Sequence, residues 1–553
     1  MTPTTPRASA RINRSPSPDS LLCASTSSYP FSHHRLTTIL STNLYALGNP
    51  HHHAAMPDLP RLDSAPAEII TMILDFLVPP PPEIGEERPV ADNQLASDTP
   101  WFDFIQSRRD LCSICRVSPR LSDFARPLLY RDVTIWHEAA MHLFFQTLLD
   151  KPEYGLWTRY FACHITLTVP SVIQKFHDLF HPVPSIRALI TPDPDSPQRL
   201  LYEVLVRLLK VKTVLLQVPV TDKHRNYGAL CDEIQVTRAK YKDPHASPFQ
   251  HINTLLLEGD PDPDPLPDID DQWGAQPHYY WPLLTGFPKL DTLEVSSDLG
   301  LWNHNTLPPP FMSNIRHIYL YNSNAYPRDL HDLLLNAPML ETLYMVPRDA
   351  NSVDEFFDDN TDDDNTYDAD PKALNVALAD HAKHLQVLSM RWDGVEFSKS
   401  HIGPDGRLAS LAKMQSLRIL SVQMALLHGK PSAVLEMPLI DLLPPNLVEL
   451  TLEDWWWANV ELFDELPDWG AQERADYYQT QHDYRVSVVR AVMDFARDVR
   501  RRLHKLEKVV FLCTIPWAWV PEEATPLESN FKDVKTTFLD QGVEFSVESG
   551  VEE

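Results

Sequence analysis

The chain has 553 residues, 43% of them apolar, with 50 prolines against 15 glycines and a formal charge of −28. That length and apolar share suit several domain-sized units with a substantial core. The scarcity of glycine argues against glycine-rich phosphate-binding folds, and the acidic balance argues against nucleic acid or an anionic membrane as a main partner.

Six irregularly spaced cysteines make no disulfide framework, so a reducing compartment, cytoplasm or nucleus, is expected. No run of about 18 apolar residues marks a membrane span. Residues 1–55 hold four arginines and a single acid, Asp19, and are rich in Ser, Thr, Pro and His. This is the composition of a disordered tail; an Arg- and Ser-rich, acid-poor transit peptide is the alternative, although no sustained basic amphipathic helix accompanies it. Organised patterning begins just after Met56, so either Met1 or Met56 serves as the start.

From Pro66, Ile69, Ile73 and Leu77 fall four apart with Ile70 and Leu74 beside them, a helical stripe closed by Val78 and Pro79 to Pro82. Residues 79–107 read as a long polar, proline-rich loop. Leu111, Ile114, Cys115 and Val117 then give a second short helix. Ser118 and Pro119 form a cap and first-turn pair for a third helix carrying Leu121, Phe124, Ala125, Leu128 and Leu129. Tyr130 to Ile135 turns extended. Cys112 and Cys115 form a CxxC, but no second ligand pair follows, so core packing is expected rather than zinc. His177 and His181 share a helix face without a third ligand.

The remainder repeats itself. An apolar-x-x-apolar-x-apolar word recurs as LDTLEV from Leu290, IRHIYL from Ile315, LETLYM from Leu340, LQVLSM from Leu385, LRILSV from Leu417 and LVELTL from Leu447. Weaker copies begin at Val211, Ile252 and Leu506. Helix-like runs at 327–340, 373–385 and 406–417 lie between them. A short strand with alternate residues inward, a loop and a helix at a rough period predict a solenoid with a parallel sheet on one face. The expected fold is therefore α/β: a leucine-rich-repeat-like solenoid over 136–515, parallel strands plus helices, preceded by three small helices within 56–135. It carries acidic insertions at 260–271 and 354–370 and a helical insertion at 453–503, and 516–553 supplies a C-terminal cap and tail. The nine acids of 354–370 lack the central Gly of a calcium loop. No phosphate-binding, dinucleotide or nucleophile-elbow motif occurs, so a binding protein rather than an enzyme is expected, with no cofactor, metal or catalytic residue.

Residues 59–135 resemble an F-box. The resemblance rests on LPRLDSAPAEIITMILDFL followed by DLCSICRVSPRLSDFARPLLYRDVTI, with an exit phrase similar to that of F-box proteins of fungal type, which often carry degenerate leucine-rich repeats. Ala65 stands where the family has Leu before the proline, and the 79–107 loop is longer than the family's. The resemblance implies a substrate receptor of an SCF-type ubiquitin ligase that docks on a Skp-family adaptor and through it on a cullin and a RING subunit. It implies adaptor contacts from Pro66, Glu68, Ile69, Ile73, Leu77, Leu111, Val117 and Leu121. The alternative is that the three helices cap the end of a repeat scaffold with no ubiquitin role.

If Leu343 and Met345 point inward, the intervening side chains face the open side of the sheet. This predicts a protein-substrate surface of His317, Tyr319, Tyr321, Thr342, Tyr344, Arg391, Gln423, Glu449 and Glu453, with Trp455 and Trp456 beyond it as anchors or as packing under the following insertion. The acidic surface argues for a basic protein partner.

Overall fold

The computed structural model describes residues 64–79, 100–136, 138–164, 196–217, 228–241, 246–258, 283–296, 312–323, 327–347, 371–390, 407–428, 438–454, 471–513 and 527–549, and the single positions 81 and 243. Two compact units divide the chain, Met1–Val211 and Lys212–Glu553. The 1–55 tail, the two acidic insertions, His177, His181, Arg391 and Trp455 to Trp457 lie outside the described residues.

The first unit opens with α1 (Ala67–Phe76), α2 (Pro100–Val117) and α3 (Pro119–Leu129). Pro66 is the N-cap of α1, one position before the expected first turn. Ile70, Leu74 and Val78 are the buried stripe of this helix. The expected loop of 79–107 ends earlier, because α2 starts at Pro100. Phe104 and Leu111 are buried seven residues apart on one face, and Gln106 donates to Asp110 one turn on, at 3.0 Å. α3 begins as expected: Ser118 accepts from the Leu121 amide and Pro119 holds the first turn.

Arg108 secures the far end of α3. Its guanidinium donates to the carbonyls of Leu128 and Leu129, which the helix leaves without intrahelical partners. Burial lowers its pKa to about 10, against the opposing pull of Asp132, so it stays charged at neutral pH. The unit continues with β1 (Asp132–Ile135), α4 (Glu138–Asp150), α5 (Glu153–Trp157), β2 (Tyr160–Cys163) and α6 (Ser196–Arg207). β1 and β2 pair in parallel, and Tyr130, Phe144, Tyr154 and Phe161 form a buried aromatic core behind them.

The second unit is α/β with an all-parallel sheet whose strand order follows chain order. Its strands are β3 (Thr213–Gln217), β4 (Thr254–Glu258), β5 (Thr292–Ser296), β6 (His317–Ser323), β7 (Thr342–Pro347) and β8 (Val387–Met390). β9 (Ile419–Gln423), β10 (Glu449–Asp454), β11 (Lys508–Cys513) and β12 (Glu544–Ser549) complete it. Each recurring sequence word supplies one strand. Its first apolar residue precedes the strand and is buried in all nine copies, from Val211 to Leu506. Between strands run α7 (Gly228–Lys240), α8 (Pro327–Asn336), α9 (Pro371–His381), α10 (Met424–His428), α11 (Leu439–Leu442), α12 (Ala471–Arg502) and α13 (Leu527–Asp540).

Two assignments change. The run 406–417 contains only a 3₁₀ turn, Ala409–Lys413. Its apolar residues Leu408, Leu411, Met414 and Leu417 are spaced by threes, the period of that tighter helix rather than of an α-helix. The 453–503 segment is not wholly an insertion, since α12 turns Val488, Val492, Phe495, Ala496 and Val499 into the core and leads directly to β11, as the other helices lead to theirs. The C-terminal cap is the helix and strand that the pattern of 531–547, with Val543, Phe545 and Val547 alternating, predicts: α13 and β12, the latter extending the sheet in register with β11.

A backbone device joins successive strands. The residue just before most strands offers its carbonyl to two successive amides, that of the residue before the next strand and that of the strand's first residue. Asp291 accepts from Arg316 and His317, Arg316 from Glu341 and Thr342, Glu341 from Gln386 and Val387, and Gln386 from Arg418 and Ile419. In the first unit, Arg131 does the same for Arg159 and Tyr160. At the end of α13 the chain reverses through Gly542 at φ +69°, a left-handed value that favours glycine. Arg500 of α12 closes this turn by donating to the carbonyls of Gln541 and Gly542 at 2.6 and 2.7 Å.

Candidate interaction surfaces

Among the described residues no group of three or more His, Cys, Asp or Glu is placed to hold a metal ion, and no helix is long and apolar enough to cross a membrane. The CxxC is not only the core packing its spacing suggests: Cys112 is buried on α2 but disulfide-bonded, while Cys115 is half-buried and is not in a disulfide. The features that stand out are two surfaces, one in each unit.

The first is the outer face of α1. Opposite the buried Ile70 and Leu74, the helix exposes Ile69 (41%), Met72 (62%), Ile73 (36%) and Phe76 (90%). A ten-residue helix with apolar residues on both faces is unusual at a protein surface, where the outward face is ordinarily polar. Arg120 fixes the start of the helix by donating to the Ala65 carbonyl at 2.8 Å, and Arg131 reaches Asp75 at 3.6 Å near its end. Pro66 and Glu68 are exposed and Leu77 half-buried on the same segment, and Val117 is exposed at the end of α2. Two expected contact residues fall elsewhere. Leu111 (0% exposed) and Leu121 (4%) belong to the core among α1, α2 and α3, because their helical faces are the ones turned toward each other. Met72 and Phe76 were not anticipated; they follow from the same helical period once the buried face is known.

The second surface is one side of the sheet in the second unit. Leu293, Val295, Ile318, Leu320, Leu343, Met345, Leu388 and Met390 are fully buried, which turns the alternate residues to the other side. The register aligns Thr292, His317, Thr342, Val387 and Ile419 in one row across the strands, and Glu294, Tyr319, Tyr344, Ser389 and Ser421 in the next. Tyr319, Tyr321 and Tyr344 stand together, with ring centroids 6.5, 6.2 and 5.9 Å apart, and all three are half-buried. His317 Nδ1 lies 3.1 Å from Thr342 Oγ1. Partial burial, and secondarily the charge of Glu294 on the adjacent strand, raise the Tyr319 pKa above its usual value, because both disfavour the phenolate.

Glutamate dominates the charged positions of this side: Glu258, Glu294, Glu449, Glu453, Glu544 and Glu548. Lys508 is the one lysine or arginine among the described positions aligned with them. Three expected contact residues are less accessible than the alternation predicts. Thr342, Gln423 and Glu453 are buried at 9, 6 and 4% exposure. Thr342 is beside His317, and Glu453 accepts from the Ser421 hydroxyl at 2.7 Å, so neighbours on the same side already contact them. Glu449 is exposed as expected.

Comparison with protein-family models gives no match to this chain, and a search of curated proteins gives none.

Proposed function

We propose that this chain is an F-box protein of fungal type whose parallel repeats are leucine-rich-repeat-like, and that it is the substrate-recognition subunit of an SCF-type ubiquitin ligase. In this reading α1 to α3 dock a Skp-family adaptor, which connects the chain to a cullin and a RING subunit, and the repeats hold the protein substrate. In this reading the chain is not itself an enzyme, and transfer of ubiquitin belongs to its partners, in the cytoplasm or nucleus.

The observation that carries the proposal is the two-faced α1. Ile70 and Leu74 satisfy the chain's own core, while Ile69, Met72, Ile73 and Phe76 remain on the outside. Burial of about 25 cal/mol per Å² of apolar surface makes such a face a favourable protein-docking site. The F-box resemblance places adaptor contacts at Ile69 and Ile73, and both lie on that outer face.

The test is capture of a purified Skp-family adaptor by the full chain, beside Ile69→Asp and Ile73→Asp. The expected result is capture by the wild type and loss in both variants, with unchanged circular dichroism. A folded wild type that captures no adaptor would sink the ubiquitin reading. The three helices would then be the end cap of a repeat scaffold without a ubiquitin role.

A further inference from the structure

We propose that the open side of the sheet in the second unit receives a lysine- or arginine-rich segment of a protein partner, with one cationic side chain seated among Tyr319, Tyr321 and Tyr344. This deepens the substrate-receptor reading by naming the chemistry of the substrate, and it rests on that reading only for the word substrate.

Two observations carry it. The first is charge. Among the described strand positions of this side six are glutamate and one, Lys508, is basic; Glu258 and Glu453 are buried, and Glu294 is the one aligned with the tyrosines. A side with this excess of one sign favours the opposite sign and disfavours its own. The second is the tyrosine cluster. A cation is attracted to an aromatic face within about 6 Å of the ring centroid, and the attraction grows as water is excluded. The three rings lie within 6.5 Å of one another, so a cation set among them is near all three. Glu294 pairs in register with Tyr319 and places a carboxylate beside that position. The ring faces and the carboxylate thus favour the same ligand group, a guanidinium or an ammonium.

The alternation also sets the neighbours of the tyrosines. His317 and Thr342 flank the tyrosines on one side and Ser389 on the next strand. These neighbours are polar and uncharged or, for His317, basic only when protonated. An acidic or phosphorylated segment is disfavoured by the same glutamates.

The experiment is fluorescence anisotropy of the full chain with fluorescein-labelled deca-arginine and deca-lysine, with deca-glutamate beside them. Both cationic peptides are expected to bind and deca-glutamate not to. Combining Tyr319→Leu with Tyr344→Leu should weaken deca-arginine about tenfold, and Glu294→Gln about threefold or more. Tyr344→Phe, which keeps the ring, should stay within about twofold of the wild type. Asp380→Asn in α9 removes the same charge from a helix and should change little. Equal weakening by Glu294→Gln and Asp380→Asn would overturn the proposal, since the attraction would then be net charge alone. So would a folded Tyr319→Leu, Tyr344→Leu chain that binds as the wild type does. Ile73→Asp should lose adaptor capture and keep peptide affinity, whereas a folded wild type that binds the cationic peptides and captures no adaptor would refute the ubiquitin reading and not this one.

Discussion

Phe76 is the sharpest test of the outer face of α1. It sits at the last helical position and is 90% exposed, while Leu74, two residues earlier, is fully buried. Truncating Phe76 to alanine removes almost no internal contact, and alanine is the better helix former, so stability should change by no more than about 0.5 kcal/mol. Docking should respond differently. Fully burying a phenylalanine side chain is worth about 1.5–3 kcal/mol. If the adaptor covers Phe76, Phe76→Ala should raise the adaptor dissociation constant by roughly 10- to 150-fold. Leu74→Ala is the counterpart: it opens a cavity and should cost about 2–5 kcal/mol of stability. The assays are isothermal titration with purified adaptor and a thermal melt of each variant. The reasoning fails if Phe76→Ala melts as early as Leu74→Ala, because the ring would then be packed. It also fails if a folded Phe76→Ala chain binds the adaptor as tightly as the wild type.

Other positions make further tests. A Cβ at Gly155 would stand 2.3 Å from the Arg207 carbonyl oxygen, and neither backbone can yield easily, so Gly155→Ala should cost about 1–3 kcal/mol by denaturant unfolding. Ser118→Ala removes the side-chain acceptor of the Leu121 amide and should cost about 1 kcal/mol in the same assay, with Ser118→Asp restoring most of it. Tyr319 has a folded pKa raised above 10, its ordinary value, so the stability linked to it is fully present below about pH 10 and is lost as pH rises through the folded pKa. In difference titration at 295 nm against Tyr319→Phe, the Tyr319 signal should appear later than free tyrosine, and Glu294→Gln should bring it earlier; no movement in Glu294→Gln would show that the carboxylate does not act on this phenol.

What the sequence made legible depended on whether burial left a period behind. The sheet of the second unit was readable because each of its strands except the last carries the same short word, with a leading apolar residue and two alternating ones, and all of these are buried. Strand β2 left no such trace: Tyr160, Phe161, Ala162 and Cys163 are all buried, so no alternation exists to be seen. In α12 the packed half, from Val488 to Val499, carries the helical spacing, and the polar residues ahead of it made the whole segment resemble an insertion. The doubled carbonyl acceptors that join successive strands were invisible for another reason. They use only backbone atoms, and side chains as different as those of Asp291, Arg316, Glu341 and Gln386 occupy the position.

The same logic explains the outcome at the candidate sites. Motif positions such as Leu111, Leu121, Ile69 and Ile73 are all apolar, and apolarity alone does not say which partner is intended. Only the measured exposure separates the first pair, turned into the chain's own core, from the second, turned away from it. On the sheet the order is reversed. Alternation correctly assigned the side of each described strand residue, but accessibility followed from cross-strand neighbours that no single word contains. Glu453 is buried because Ser421, 32 residues away in sequence, donates to it, whereas Glu449 on the same strand stays exposed.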